Sequence, residues 1–325
     1  MRAPTALRFT VVGAVALAIA LMPFVLSDYN RSQGARVAVF FIAILGLNIV
    51  TGYTGQISIG HGAFMALGGY TTAILTHSHG WSTLPTLPVA AAVGFGAGIV
   101  VGLPALRFHG VYLALTTFAV ALAVPQLATN YSHFTGGVEG LPLPSHTGIW
   151  LYGLGWSVAA VMFVLSWLLL RGRTGRAFRA VRDSEVAAAS SGVSLAVHKT
   201  LAFGVSAAIA AVAGSVYVLV NAFVNPDIFG LTLSLYILIG AVVGGLGSLW
   251  GVLVGACFVQ LLPIGISNSH TVSAQSVPVI FGAMVILVMA LLPRGAAEAL
   301  FWATELPKRI RRVHSSSTPQ RLEAQ

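Results

Sequence analysis

The chain has 325 residues, of which 57% are hydrophobic and 8% charged. A soluble domain carries about 25% charged residues, so the composition excludes a water-covered globule and indicates an integral membrane protein. The formal net charge of +9 does not indicate nucleic-acid binding, because Lys and Arg cluster beside apolar runs in the positive-inside pattern of membrane proteins.

A span needs about 20 apolar residues. Ten such runs follow one another, roughly 9–26, 37–54, 58–76, 87–106, 111–129, 150–170, 201–224, 231–249, 251–267 and 277–293. Phe9 to Leu26 follows Arg2 and Arg8. It is long for the apolar core of a signal peptide, and no small-x-small site precedes Asp28; it reads as a retained first span. Several later runs are interrupted by glycine. The expected fold is therefore all-α, a polytopic helical bundle of about ten spans with glycine-interrupted helices.

With the first eight residues cytoplasmic, 15 of the 17 Lys and Arg residues fall inside, leaving only Arg31 and Arg36 outside together with Asp28, Glu139 and Asp227. Both termini are then cytoplasmic. Adding or removing one span would break this segregation, whereas an even change, down to eight, would keep it. Residues 1–300 form the expected transmembrane domain. The tail 301–325 is basic, then Ser-rich, and expected to be disordered. Cys257 is the single cysteine, so no intrachain disulfide forms.

GYTGQISIGHGAF, Gly52 to Phe64, is the most unusual stretch, because it sits in a run from Val37 to Leu106 with no Asp, Glu, Lys or Arg. Each glycine weakens a helix by about 1 kcal/mol relative to alanine, and backbone groups in lipid need partners inside the protein or in a water-filled cavity. Gly52, Gly55, Gln56, Ser58 and His61, with Thr116 in a later span, are the candidate pathway residues. Helix packing alone would explain the glycines but not the polar side chains beside them. A proton relay through His61 lacks an acidic partner in the run. GGLG at Gly244–Gly247 echoes GYTG at Gly52–Gly55; transporters are often built from repeats whose broken helices meet at the substrate site.

The longest interior polar segment is 171–200. Arg176, Arg179 and Arg182 lie at helical spacing opposite Phe178 and Val181. Asp183 before SEVAAASS reads as an N-cap, with Gly192 as the C′ residue of an alanine-rich helix. The sequence contains no G-x-x-x-x-G-K-[ST], no H-E-x-x-H and no G-x-S-x-G, which argues against a P-loop ATPase, a zinc hydrolase or a serine hydrolase. No metal site and no catalytic residue is expected.

These motifs resemble the LivM-type permease subunits of ABC importers for branched-chain amino acids. The likeness rests on TGYTGQISIGHGAFMALGGYTTAIL at 51–75, LPALRFHGVYLALTTFAVAL at 103–122 and TGGVEGL at 135–141. It rests further on the segment 172–217 and on GGLGSLWGVLVGA at 244–256. The resemblance implies that the loop 172–199 docks an ATPase subunit, with Glu185, Ala187, Ala188 and Gly192 matching an E-x-A-A-then-glycine pattern. Arg176, Arg179, Arg182, Asp183, Glu185, Ala188 and Gly192 are then the expected coupling residues. It also implies two ATPases that bind the ATP, a second permease (LivH-type or a second copy) and an extracytoplasmic solute-binding protein. No cofactor is expected on this chain. Two departures bear on the solute: Gln126 is the only polar residue between Ala121 and Ala128, and Val252 stands where proline is common. Relatives carry urea, short amides or other amino acids. The alternative of a stand-alone secondary transporter or channel would need coupling-ion ligands within the spans, which the sequence does not display.

Overall fold

A computed structural model describes residues 21–23, 26–108, 110–268, 276–291 and 295. The tail 301–325 and nearly all of the first expected span, 9–26, lie outside them. Helix α1, Asp28–Leu47, continues into a π-helical stretch, Asn48–Tyr53. The helices that follow are α2 (His61–His79), α3 (Thr83–Ala105), α4 (Val111–Asn130) and α5 (Gly148–Arg171). Two short helices, α6 (Arg173–Asp183) and α7 (Glu185–Ser190), lead into α8 (Leu195–Asn221). Last come α9 (Leu231–Gly244), α10 (Gly251–Ser267) and α11 (Val277–Leu291). Every apolar run expected from residue 37 onward has its helix. Among the described residues, six stretches qualify by length and apolarity to cross a membrane, while α10 and α11 are shorter apolar helices.

α1 and α8 form the centre. In their span windows 89% and 83% of residues are buried, against 22–28% for α3, α4 and α5, which form the periphery. Because lipid tails are as apolar as leucine, close backbone packing rather than water exclusion holds such helices together. Gly94, Gly98 and Gly102 recur every four residues on one face of α3 and meet Ala211, Ala207 and Phe203 of α8 in antiparallel order. A β-carbon on Gly98 would stand 2.6 Å from Ala207 and from the Phe203 carbonyl.

The loops assigned outside gather at one end. β1 (Leu141–Pro142) pairs antiparallel with β2 (Phe223–Val224), and Arg36 Nη2 donates to Asn221 Oδ1 at 3.0 Å. The segment 173–190 lies at the other end, where α6 packs on the π-helical stretch.

Candidate functional site

The bundle is interrupted where α1 ends. The π-helical geometry of Asn48–Tyr53, a form frequent at functional sites, hands over to a reversal at Gly55, whose φ of +72° is left-handed and suits glycine. The polar residues here stitch the reversal. Thr54 Oγ1 donates to the Val50 carbonyl (2.6 Å) and Gln56 N–H to the same oxygen (3.0 Å). Thr51 Oγ1 donates to the Gln56 carbonyl (3.0 Å), and Gln56 Nε2 to Thr54 Oγ1 (2.9 Å). Residues 55–60 then run without regular structure until α2 starts at His61. Their burial alternates: Gln56, Ser58 and Gly60 face inward, whereas Ile57 is 42% exposed.

Neighbouring helices supply the partners this irregular backbone needs. Ile59 N–H donates to Thr117 Oγ1 (3.0 Å) and Gly62 N–H to Ser234 Oγ (2.9 Å). His61 is buried, with Nε2 3.4 Å from Ser206 Oγ, and Ser206 donates to the Gly46 carbonyl at 2.7 Å. Three polar atoms on the inward side, Gln56 Oε1, Ser58 Oγ and His61 Nδ1, are buried without a hydrogen-bond partner.

Gly52, Gly55, Gln56, Ser58 and His61 are thus brought together. Thr116 is not: it is half-buried, and its hydroxyl returns to the Tyr112 carbonyl of its own helix. Its neighbour Thr117 makes the contact instead. Sequence reasoning also missed Ser206, Ser234 and Asn48. Asn48 had a signal, as an isolated amide in an apolar run.

The second glycine tetrad breaks the chain between α9 and α10, with positive φ at Gly245 and Gly247. Asn48 binds both breaks together. Its Oδ1 accepts from Gly247 N–H at 2.7 Å and its Nδ2 donates to the Ser248 carbonyl at 2.9 Å. Arg182 completes the junction: its guanidinium donates to the Gly52 carbonyl and lies beside Gly247. The two tetrads that echo each other in sequence therefore meet in space, under the last turn of α6.

α6 itself matches its expected face. Ala177, Phe178 and Val181 are buried, and Arg173, Arg176, Arg179 and Arg182 are on the exposed side. The expected cap is corrected by one residue. Asp183 closes α6, and Ser184 caps α7, its Oγ accepting from Ala187 N–H at 3.3 Å. An extended Ser184 separates the two helices, so the aspartate cannot serve the second one. Gly192 terminates α7 as expected, with φ +82°; Gly192 N–H bonds the Ala189 carbonyl and Val193 N–H the Ala188 carbonyl, the Schellman pattern. Ala188 is buried. Glu185 Oε2 accepts from Lys199 Nζ at 2.6 Å. No cluster of three potential metal ligands occurs among the described residues.

Apolar spans, facing helix breaks within them, and a basic helical hairpin touching those breaks define a polytopic membrane permease. The chain belongs to the family described as the permease component of the branched-chain amino acid transport system, which matches residues 34–289. It is 32% identical over 308 residues to the high-affinity branched-chain amino acid transport system permease protein LivM of Salmonella typhimurium, covering 84% of this chain and 71% of that protein. Against LivM of Escherichia coli K12 the identity is 32% over 320 residues, 89% and 74% of the two chains. LivH of Salmonella typhimurium is 25% identical over 79% of this chain and 90% of its own length. No solved structure matches.

Proposed function

We propose that the chain is the membrane-spanning subunit of an ATP-driven importer of branched-chain amino acids in the inner, or plasma, membrane. Residues 1–300 form the permease domain, both termini are cytoplasmic, and 301–325 is a basic tail. Its partners are two ABC ATPases, a second permease of LivH type or a second copy, and an extracytoplasmic solute-binding protein; nucleic acid is not among them. The ATPases bind and hydrolyse ATP, so this chain needs neither cofactor nor catalytic residue. An ATPase docks on Arg176, Arg179, Asp183 and Gly192, whereas buried Ala188 only packs the short helix in place, and Arg182 relays the ATPase's movement to the helix breaks. The solute pathway passes Gly52, Gly55, Gln56, Ser58 and His61, where three buried polar atoms have no protein partner and water or solute can serve them.

The observation that carries this reading is the bond from Arg182 to the Gly52 carbonyl, which joins the loop hairpin to the interrupted helix without an intermediary. A hydrogen bond from a charged donor is worth about 1.5–3 kcal/mol. Arg182 is exposed overall, which favours the lower end and translates to about tenfold. With the whole importer in proteoliposomes, Arg182→Ala keeps ATPase activity within about twofold and lowers solute moved per ATP about tenfold. Equal transport per ATP in the variant and the wild type would overturn the assignment.

A further inference from the structure

At the end of the bundle opposite the basic hairpin, Arg36 and Asp227 have no part in the function above. Arg31 is satisfied there by Asp28 at 2.7 Å. Arg36 and Asp227 are not paired in this way. Both line one cavity of about 300 Å³, at the lower end of the about 300–1,000 Å³ typical of small-molecule pockets. Among the described residues neither closes on the other, or on any third group, in an ion pair. Arg36 is half-buried; one amino group is held by Asn221 Oδ1, and its Nε is buried without a partner. Asp227 is exposed, in the 3₁₀ turn Pro226–Phe229 that follows β2. Phe40, Tyr217, Tyr236 and Leu233 supply apolar and aromatic wall, and Thr232 a hydroxyl.

A lone cation in a half-buried site attracts any anion, and a lone carboxylate attracts any amine. A cation and an anion held in one small cavity without neutralising each other do neither well. A free carboxylate ligand is drawn by Arg36 and repelled by Asp227, and the reverse holds for a simple amine. Only a ligand carrying both charges satisfies both groups, and the positive charge of the guanidinium draws a carboxylate. The walls, with Leu233, Val259 and Ile264 beside the aromatic rings, suit a short aliphatic side chain. We propose that this cavity is an entry subsite for a small zwitterion, an aliphatic α-amino acid, with Arg36 taking the carboxylate and Asp227 the ammonium. The inference rests on the importer reading and adds a recognition point on this chain, before the solute reaches the uncharged stretch at Gln56–His61.

The test uses the purified whole complex without its binding protein. Saturation-transfer NMR compares three probes: L-leucine, L-leucinamide, which lacks the carboxylate, and N-acetyl-L-leucine, which lacks the ammonium. Uptake of labelled L-leucine is measured in parallel with the binding protein present. The wild type contacts leucine in preference to both analogues. Arg36→Gln loses the preference over the amide, and Asp227→Asn the preference over the acetylated form. Each slows leucine uptake about tenfold, while Arg36→Lys stays within about threefold. Asp227→Asn guards against misfolding as the explanation, because the Asp227 carboxylate makes no hydrogen bond among the described residues. ATPase co-purification checks assembly of every variant. A wild type without charge preference, or an assembled Arg36→Gln and Asp227→Asn that bind and import leucine normally, overturns the subsite and leaves the importer standing. A wild type that shows both preferences yet imports no branched-chain amino acid supports the subsite and refutes the importer reading.

Discussion

The Glu185–Lys199 pair should respond unequally to the loss of its two members. The ammonium lies 2.6 Å from the carboxylate, but the lysine side chain is 4% exposed and the glutamate 37%. Glu185→Gln leaves a nearly dry ammonium without its counter-charge. Breaking a fully buried pair costs about 3–5 kcal/mol. Water reaching the glutamate side lowers this to about 2 kcal/mol. Lys199→Met instead leaves a carboxylate that water can solvate and fills the lysine's space with an apolar chain, at about 1 kcal/mol or less. The double variant, with neither charge, should resemble Lys199→Met alone. Thermal unfolding of the detergent-purified complex measures the effect: Glu185→Gln melts at least about 4 °C lower than wild type, and the other two within about half that. Lys199→Met as harmful as Glu185→Gln, or a double variant no better than Glu185→Gln, would refute this account of the pair.

Two further outcomes follow from glycine geometry. Gly192→Ala meets no atom within 4 Å, so only the left-handed backbone at φ +82° opposes it; the cost is about 1 kcal/mol, and ATPase co-purification falls measurably while Gly192→Asn retains more. Gly98→Leu must push α3 from α8, since even its β-carbon meets the Phe203 carbonyl at 2.6 Å. It costs at least about 1–3 kcal/mol and lowers the yield of folded protein, whereas Gly96→Leu, on a face with nothing within 4 Å, changes the yield little.

What the sequence made legible was local. Apolar runs located the helices, and the charge pattern grouped the loops that meet at each end. The glycines and polar groups at 52–61 marked a real departure from helix. Arginine spacing in 173–183 gave the correct buried face, because Phe178 and Val181 stand opposite the charges. What stayed hidden depended on rotation and on distant partners. Thr116 and Thr117 are equally plausible in a string of letters, but successive residues on a helix point about 100° apart. The Ser184 cap was missed because Asp183 has the same capping chemistry and only the helix boundary separates them. Asn48 bonds Gly247 across about 200 positions, Arg36 and Asp227 share a cavity across about 190, and no pattern along the chain announces either. Ile57 is exposed while Gln56 and Ser58 turn inward, an orientation set by the irregular backbone rather than by any residue pattern.

The hairpin's connections have a mechanical meaning. Gly172 alone separates α5 from α6, and Ser184 alone separates α6 from α7. Two residues of non-helical chain stretch to about 7 Å at most, so the path from the membrane rod to the far rod has almost no slack. Such an assembly behaves as stiff levers on two pivots rather than as a tether: it can swing but cannot absorb a pull. Whatever pushes on the outer lever must either turn both pivots together or move the rod in the bilayer, and small strokes arrive undiminished.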